Sequence, residues 1–205
     1  MAGHVLGSDT THAGERTNDG WNINWHACES ACEHAIKTNR PLLIFGPAFS
    51  FLHWLDSTDT LHKLPWESRI METGGYKGRS RVLAKNEFHV LLSKRLGISE
   101  SHIVCEYGMC ELNSQAYDRQ IGVDKERAFR FPHWAQPIII NPETGNPCGE
   151  GEIGLLRIID LANVYSSVAI QTQDLARSVS DGFELLGRDQ TATPRGCSLN
   201  LLQQT

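Results

Sequence analysis

Hydrophobic residues follow a helical and a strand-like spacing in turn through the first half of the chain. Residues 1–20 have almost no apolar periodicity and are rich in Gly, Ser, Thr, Asp and His, so we predict a mobile arm there. Beyond this arm, strands alternate with amphipathic helices over residues 40–106, which predicts a parallel sheet with flanking helices. The predicted helices are 21–37, 48–61 and 85–96, and the predicted strands are 42–45, 68–72 and 102–105.

The second half has a different pattern, in which short apolar runs are separated by turns rich in Gly, Asp and Pro. Runs at this spacing are typical of consecutive antiparallel strands, so we predict a β-meander. Its predicted strands are 136–140, 153–159, 167–172 and 183–186. The predicted fold class is therefore α/β, with a parallel sheet and flanking helices followed by a β-meander.

The composition is that of a globular protein, since 40% of the 205 residues are hydrophobic and 21% are charged. A net charge of -5 argues against a nucleic-acid partner, which is held through clustered Lys and Arg. The longest apolar run, residues 41–55, is too short and too interrupted to span a bilayer. No basic segment followed by an apolar one is visible near the N-terminus, so we expect no signal peptide and a cytoplasmic protein.

One predicted helix carries a group of residue types that bind metals, namely His26, Cys28, Cys32 and His34. The paired Cys-x-x-Cys spacing of zinc sites is absent from it. Both cysteines also lie beside a helical stripe of small apolar residues, so we expect them to pack on a helix face. The six cysteines of the chain show no disulfide-like density for its length.

Candidate chemistry begins where the predicted strand 102–105 ends, at the hexapeptide Glu106-Tyr-Gly-Met-Cys-Glu. Ligands of α/β sheets bind beyond the carboxyl ends of the strands. Tyr107 could stack on a base, Gly108 could let the backbone approach a phosphate, and Glu111 could hold a cation. Taken alone, the motif has an ordinary loop as its alternative interpretation.

Further candidates lie upstream and downstream of this hexapeptide. Gly74 and Gly75 open a glycine-rich segment with basic residues, which would serve either as a phosphate or base cradle or as a flexible surface loop. Asp174 could accept hydrogen bonds from both hydroxyls of a ribose, and Arg188 could reach the same ribose or a phosphate. Considered separately, these two would be a turn acid and a surface arginine.

Taken in order, the motifs resemble the later core motifs of adenylate-forming enzymes, which activate a carboxylic acid with ATP and pass the acyl group to a thiol. The residues of these motifs resemble still more closely those of the LuxE-type acyl-protein synthetases, the fatty-acid-activating component of the reductase complex of luminous bacteria. The resemblance covers roughly residues 40–200. The segments that carry it are Met71-Glu-Thr-Gly-Gly-Tyr-Lys-Gly-Arg, Glu106-Tyr-Gly-Met-Cys-Glu-Leu-Asn-Ser-Gln-Ala-Tyr-Asp and Arg195-Gly-Cys-Ser-Leu.

This resemblance implies a fold, a reaction and a set of ligands. The fold would be that of the C-terminal part of the large domain of adenylate-forming enzymes. The cofactors would be ATP and Mg²⁺, the substrate a long-chain fatty acid, and the acyl acceptor a reductase or another partner protein. Gly74 and Gly75 would lie against the adenine, Tyr107 would stack on it, Asp174 would hold the ribose, and Arg188 would sit at the hinge beside them.

The resemblance also implies roles in phosphate binding and in acyl transfer. Glu111 would bind the magnesium on the phosphates, on the loop that begins at Gly108. Cys110 stands where the family has a threonine whose hydroxyl bonds the phosphate, and a thiol is a poorer donor. Cys197, on a C-terminal tail of residues 197–205, would be the nucleophile that accepts the acyl group as a thioester.

The Ser/Thr/Gly-rich phosphate loop that this family places earlier in the chain has no counterpart in the sequence. We therefore predict that residues 21–196 form only the C-terminal portion of an adenylate-forming domain. The leading hypothesis is an acid–thiol ligase whose missing loop is supplied by another chain. The alternatives are a non-catalytic nucleotide-binding remnant and a ligase that passes the acyl group to coenzyme A without Cys197.

Overall fold

The computed structural model describes residues 10–17, 20–75, 83–123 and 125–189. These residues divide into two compact units. The first contains the described residues up to 71 and residues 75–103, and the second contains residues 72–74 and 104–189. Each unit has its own cluster of buried hydrophobic side chains.

The first unit begins with a pair of antiparallel strands and a helix. Strands β1 (Gly14–Thr17) and β2 (Gly20–Ile23) pair with each other, so residues 14–17 and 20 of the predicted arm are in strands, as are residues 21–23 of the predicted helix. Helix α1 (Trp25–Thr38) begins four residues later than predicted, because the Asn24 side chain accepts a hydrogen bond from the Ala27 N–H at 3.1 Å and caps it. The part of the predicted arm before residue 10 lies outside the described residues.

Strands and helices then alternate as the sequence pattern predicts. The elements are β3 (Leu43–Pro47), α2 (Ala48–Ser57), β4 (Arg69–Thr73), α3 (Lys85–Leu96) and β5 (Ile103–Tyr107). Helix α2 ends four residues before the predicted boundary, at an extended Thr58 whose hydroxyl accepts a hydrogen bond from the Thr60 N–H. The core of this unit includes Leu52, Ile70, Phe88, Leu92 and Ile103.

The strand order of the first sheet is β3-β4-β5-β6, where β6 is the short strand Ala116–Tyr117. Helical crossovers connect β3 to β4 and β4 to β5, which is the connection that parallel neighbours require. Strand β6 pairs with β5 in the antiparallel direction. The predicted parallel sheet with flanking helices is confirmed.

The predicted β-meander is also confirmed, and it forms a sheet of order β10-β9-β8-β7 in which every neighbouring pair is antiparallel. Strand β9 runs beyond its predicted end at residue 172, because β8 and β10 both continue to pair with it. Asp174 therefore lies inside a strand and not at its end. The strands are β7 (Ala135–Ile140), β8 (Ile153–Asp160), β9 (Ala169–Val179) and β10 (Gly182–Arg188).

The thiols of α1 belong to the packing of that helix. Cys32 is completely buried in the first core, and Cys28 packs against the same cluster. Burial raises the pKa of Cys28 to about 11 and that of Cys32 to about 12, so both thiols are protonated at neutral pH. Within the described ranges, no three His, Cys, Asp or Glu side chains are grouped so that they could hold a metal ion. Helices long and apolar enough to cross a membrane are likewise not found in this part of the chain.

Candidate functional site

Tyr107, the last residue of β5, lies in a cluster of aromatic rings within the second unit. Its ring centroid is 6.0 Å from that of Phe129, 6.3 Å from that of Phe131 and 5.9 Å from that of Phe183, in edge-on geometry each time. Edge-to-face pairs at these distances are favourable for aromatic rings. Only 8% of Tyr107 is exposed, so the ring has a fixed position.

The hydroxyl of Tyr107 reaches the Asp174 carboxylate, 67 positions later in the chain. It donates to Oδ2 of Asp174 at 2.7 Å, while Nε of Arg188 lies 3.2 Å from Oδ1 of the same carboxylate. Arg188 stands directly opposite Asp174 in the pairing of β9 with β10, which explains this second contact. Burial and the Asp174 charge raise the pKa of Tyr107 far above its ordinary value, so the hydroxyl keeps its proton and remains a donor.

The structure thus brings three of the predicted site residues together through one hydrogen bond and one ion pair. We call Tyr107, Asp174 and Arg188 the carboxylate cluster. Asp174 is further held through its backbone N–H, which donates to the Thr172 hydroxyl at 3.1 Å. The stacking of Tyr107 on adenine and the contact of Asp174 with ribose stay predictions.

Gly108 follows the cluster and has little room for a side chain. A Cβ atom at this position would collide with the Glu106 carboxylate and lie 3.2 Å from Cγ of Gln115. The same Glu106 carboxylate accepts a hydrogen bond from the Thr73 hydroxyl. Thr73 directly precedes Gly74, whose φ of 68° is in the left-handed region that favours glycine. Two of the predicted motifs are therefore joined by one hydrogen bond.

Glu111 and Cys110 are both exposed on the loop between β5 and β6, residues 108–115. A carboxylate on a fixed loop suits Mg²⁺, which takes one or two protein carboxylates together with substrate phosphate oxygens. Gly75 lies in the first unit, and among the described residues no atom is within 4 Å of the place where its Cβ would be. The predicted acyl acceptor Cys197 lies outside the described residues.

The loop of residues 108–115 is anchored by an acid that the sequence motifs did not single out. Asp160, the last residue of β8, is fully buried. Its Oδ2 accepts from the N–H groups of Asn113 at 3.0 Å and Ser114 at 2.9 Å. Its Oδ1 accepts from the Ser114 hydroxyl at 2.8 Å and from the Ala162 N–H at 3.0 Å. Four donors satisfy a charge that would otherwise be costly to bury.

A second anchor is Asn163, in the turn after β8, which contacts the backbone on both sides of Leu112. The signal for these two residues is the segment Asp160-Leu-Ala-Asn163 directly after an apolar run, which by itself predicts only a turn. Their partners lie 46 to 52 positions earlier in the chain. Neighbouring sequence could not have indicated those partners.

Comparison with known proteins agrees with these motifs. The acyl-protein synthetase family LuxE matches residues 25–205 of the chain. The long-chain-fatty-acid–luciferin-component ligase of Aliivibrio fischeri is 22% identical over 191 residues, which cover 84% of this chain and 49% of that protein. The chain thus spans about half the length of this curated relative.

Solved structures with the same fold are adenylate-forming enzymes. ATP-bound MatB from Rhodopseudomonas palustris has 18% identity and a TM-score of 0.53, and the alignment covers 76% of this chain and 32% of MatB. A benzoate CoA ligase from Burkholderia xenovorans LB400 has 14% identity and the same TM-score of 0.53, with 85% of this chain and 35% of that enzyme covered. At these identities the likeness concerns the fold, and the family is established by the match over residues 25–205. This chain belongs to the acyl-protein synthetase family LuxE.

Proposed function

We propose that this chain takes part in the ATP-dependent activation of a long-chain fatty acid to an acyl-adenylate and in the transfer of the acyl group to a protein thiol. The observation that carries the proposal is the carboxylate cluster. Tyr107, Asp174 and Arg188 come from three separate motifs of the family resemblance, and one hydrogen bond and one ion pair join them. We place the reaction in the cytoplasm, with an acyl-receiving reductase or another partner protein. A role in bioluminescence would follow from such a partner.

In this proposal the carboxylate cluster holds the adenosine half of the nucleotide. Each carboxylate oxygen of Asp174 has one protein donor, which leaves acceptor capacity on both oxygens for the two ribose hydroxyls. Tyr107 offers its ring to the adenine, and Gly74 lets the backbone approach the same base. Arg188 holds the carboxylate in its orientation through the ion pair with Oδ1.

The loop of residues 108–115 serves the phosphate half in this proposal. Glu111 would hold Mg²⁺, and the absent side chain of Gly108 lets a phosphate oxygen approach the backbone. Bound Mg²⁺ would neutralise the negative charge that develops on the phosphates during adenylation. The Cys110 thiol is a weak hydrogen-bond donor, so it contributes little to phosphate binding.

The reaction then has two steps, adenylation of the fatty acid and transfer of the acyl group to the thiol. A carboxylate oxygen of the fatty acid forms a bond to the α-phosphorus of ATP, and the bond to the leaving pyrophosphate breaks. In the second step the Cys197 thiolate, having lost its proton to solvent or a base, attacks the acyl carbon. The carbon–sulfur bond forms, the carbon–oxygen bond to the phosphate breaks, and AMP leaves.

A second candidate function is a nucleotide-binding portion of a split enzyme, or a remnant that does not catalyse. The 205 residues contain no phosphate-loop motif, which adenosine binding alone does not require. The two candidates share the adenosine half-site. They differ in pyrophosphate release from ATP and fatty acid, which the remnant would not support.

The test is calorimetric binding of a non-hydrolysable tetradecanoyl-adenylate mimic to the full chain. We expect the wild type to bind it, and Asp174→Ala to weaken binding at least about tenfold, because charged hydrogen bonds to the ribose are lost. The matched control is Asp181→Ala, which removes an acid in the turn between β9 and β10 that is 65% exposed and pairs with Arg130 at 2.7 Å. Equal affinity of Asp174→Ala and wild type would overturn the assignment of the ribose site, and no binding by the wild type would overturn the proposed function.

A further inference from the structure

The backbone of Glu111 is held by one side chain of the turn between β8 and β9. Nδ2 of Asn163 donates to the carbonyl oxygen of Glu111 at 2.8 Å, and Oδ1 of Asn163 accepts from the Asn113 N–H at 2.9 Å. The amide also donates to the Ser167 carbonyl at 3.1 Å. Asn163 is only 1% exposed, so water has little access to replace these bonds.

The two anchors of the loop share one partner, the Asn113 N–H, and differ in the others. Asp160 binds the N–H groups of Asn113 and Ser114, which lie downstream of Glu111. Asn163 binds the carbonyl of Glu111 itself. Loss of the Asn163 donor would therefore release residue 111 while Asp160 still holds the loop to the sheet.

We propose that Asn163 is a positioning residue that fixes the backbone of Glu111, so that its carboxylate is presented to the magnesium of a bound nucleotide. This inference rests on the proposed function, since it takes Glu111 as the magnesium ligand. Groups that orient a metal ligand from behind govern metal affinity, and their loss commonly costs tenfold or more. Asn163 does not itself reach the nucleotide in this proposal.

Two substitutions remove the Nδ2 donor of Asn163, one that keeps the Oδ1 acceptor and one that does not. Asn163→Asp keeps an oxygen for the Asn113 N–H but turns a second oxygen toward the Glu111 carbonyl, which repels it. Asn163→Ala removes both atoms and adds no charge that could attract a cation. The matched control is Asn141→Asp, because Oδ1 of Asn141 likewise accepts two backbone N–H bonds in a turn, from Glu143 at 2.9 Å and Thr144 at 3.1 Å.

The measurement is the factor by which Mg²⁺ strengthens ATP binding, with AMP binding as the internal reference. Calorimetry on the full chain gives both, with ATP titrated in saturating Mg²⁺ and again without divalent cations. We expect the factor by which Mg²⁺ strengthens ATP binding to be about tenfold smaller in both Asn163 variants than in the wild type. Their affinity for AMP should stay within about twofold of the wild type, as should both properties of the control.

The outcomes separate this inference from the proposed function. If Mg²⁺ strengthens ATP binding equally in the wild type and the Asn163 variants, Asn163 does not position Glu111. A parallel fall in AMP and ATP affinity would mean that Asn163 only maintains the fold, which also overturns the inference. If the wild type binds AMP but Mg²⁺ does not strengthen its binding of ATP, the role of Glu111 is overturned. If the wild type binds no nucleotide, the proposed function is overturned.

Discussion

Each oxygen of the Asp174 carboxylate has its own donor in the candidate site, the Tyr107 hydroxyl on one and Arg188 on the other. The hydroxyl is a strong link, because a short hydrogen bond to a charged acceptor in a buried site is worth more than one between neutral groups. Tyr107 therefore combines two properties in one side chain. Its hydroxyl orients an acid, and its ring is the predicted platform for adenine.

Substitution of Tyr107 by Phe and by Leu separates these two properties. Tyr107→Phe should lower the free energy of unfolding by about 1 kcal/mol, because a partly buried carboxylate loses one donor. It should retain most of the affinity for the adenylate mimic, since the ring remains. Tyr107→Leu should weaken the mimic about tenfold or more through lost stacking. Urea denaturation and calorimetry measure the two quantities, and equal affinities for Phe and Leu would disprove the stacking role.

The residues of the site differ in how well the sequence could predict them. Tyr107, Asp174 and Arg188 each stand in a motif with a recognisable order, and all three meet in the structure. Asp160 and Asn163 follow an ordinary apolar run, and their roles depend on partners about fifty positions away. A local pattern carries no information about such partners, because they are selected by the way the strands pair.

At the scale of elements, boundaries were predictable where one residue type enforces them. Helix α3 ends as predicted, because Gly97 adopts a left-handed φ of 66° that few other residues tolerate. Helix α1 was predicted too long because apolar residues of β2 continue its helical period, and only the Asn24 side chain marks the true start. The end of β9 was missed because pairing on both sides extends that strand.

Substitution of Gly97 should cost more unfolding free energy than substitution of a glycine that has a similar φ but no close neighbours. A Cβ at Gly97 would lie 2.6 Å from the His62 carbonyl oxygen and 2.8 Å from Cα of Lys63, both backbone atoms. Gly122→Ala is the matched control, because φ there is 74° and no described atom lies within 4 Å of the new Cβ. We expect Gly97→Ala to cost about 3 kcal/mol and Gly122→Ala about 1 kcal/mol of unfolding free energy. Equal losses in urea titrations would show that the contacts with residues 62 and 63 are unimportant.

At the scale of the whole molecule, each of the two compact units contains an acid whose charged form is favoured by hydrogen bonds. Burial acts to raise the pKa of Glu29 in the first unit, but the Trp54 indole N–H, which donates to the carboxylate, and the nearby His62 ring bring it below its ordinary value. Burial likewise opposes the charge of Asp160 in the second unit, and its donors from Ser114, Ala162 and Asn113 outweigh that cost. Both acids therefore link stability to pH in the same direction.

Stability should fall in acid, because both pKa values are lower in the folded chain than in the unfolded one. The contribution of each acid is complete above the unfolded pKa, about 4 for these side chains, and disappears as the pH falls through the lower folded value. Urea midpoints measured from about pH 6 down to about pH 3 should therefore decrease below about pH 4. Glu29→Gln should flatten part of this decrease, and an unchanged slope in that variant would contradict the lowered pKa of Glu29.

The anchoring of the loop 108–115 by Asp160 and Asn163 also bears on the order of folding. Its hydrogen bonds close separations of 46 to 52 positions, and the chain entropy lost in closing such loops must be recovered by contacts made at the same time. The turn between β8 and β9 must therefore be in place before the backbone of Glu111 can become ordered. During synthesis, the complete Tyr-Gly-Met-Cys-Glu segment would leave the ribosome long before the residues that give it a defined shape. In the proposed function, competence to bind a nucleotide would then be acquired late, when the meander closes.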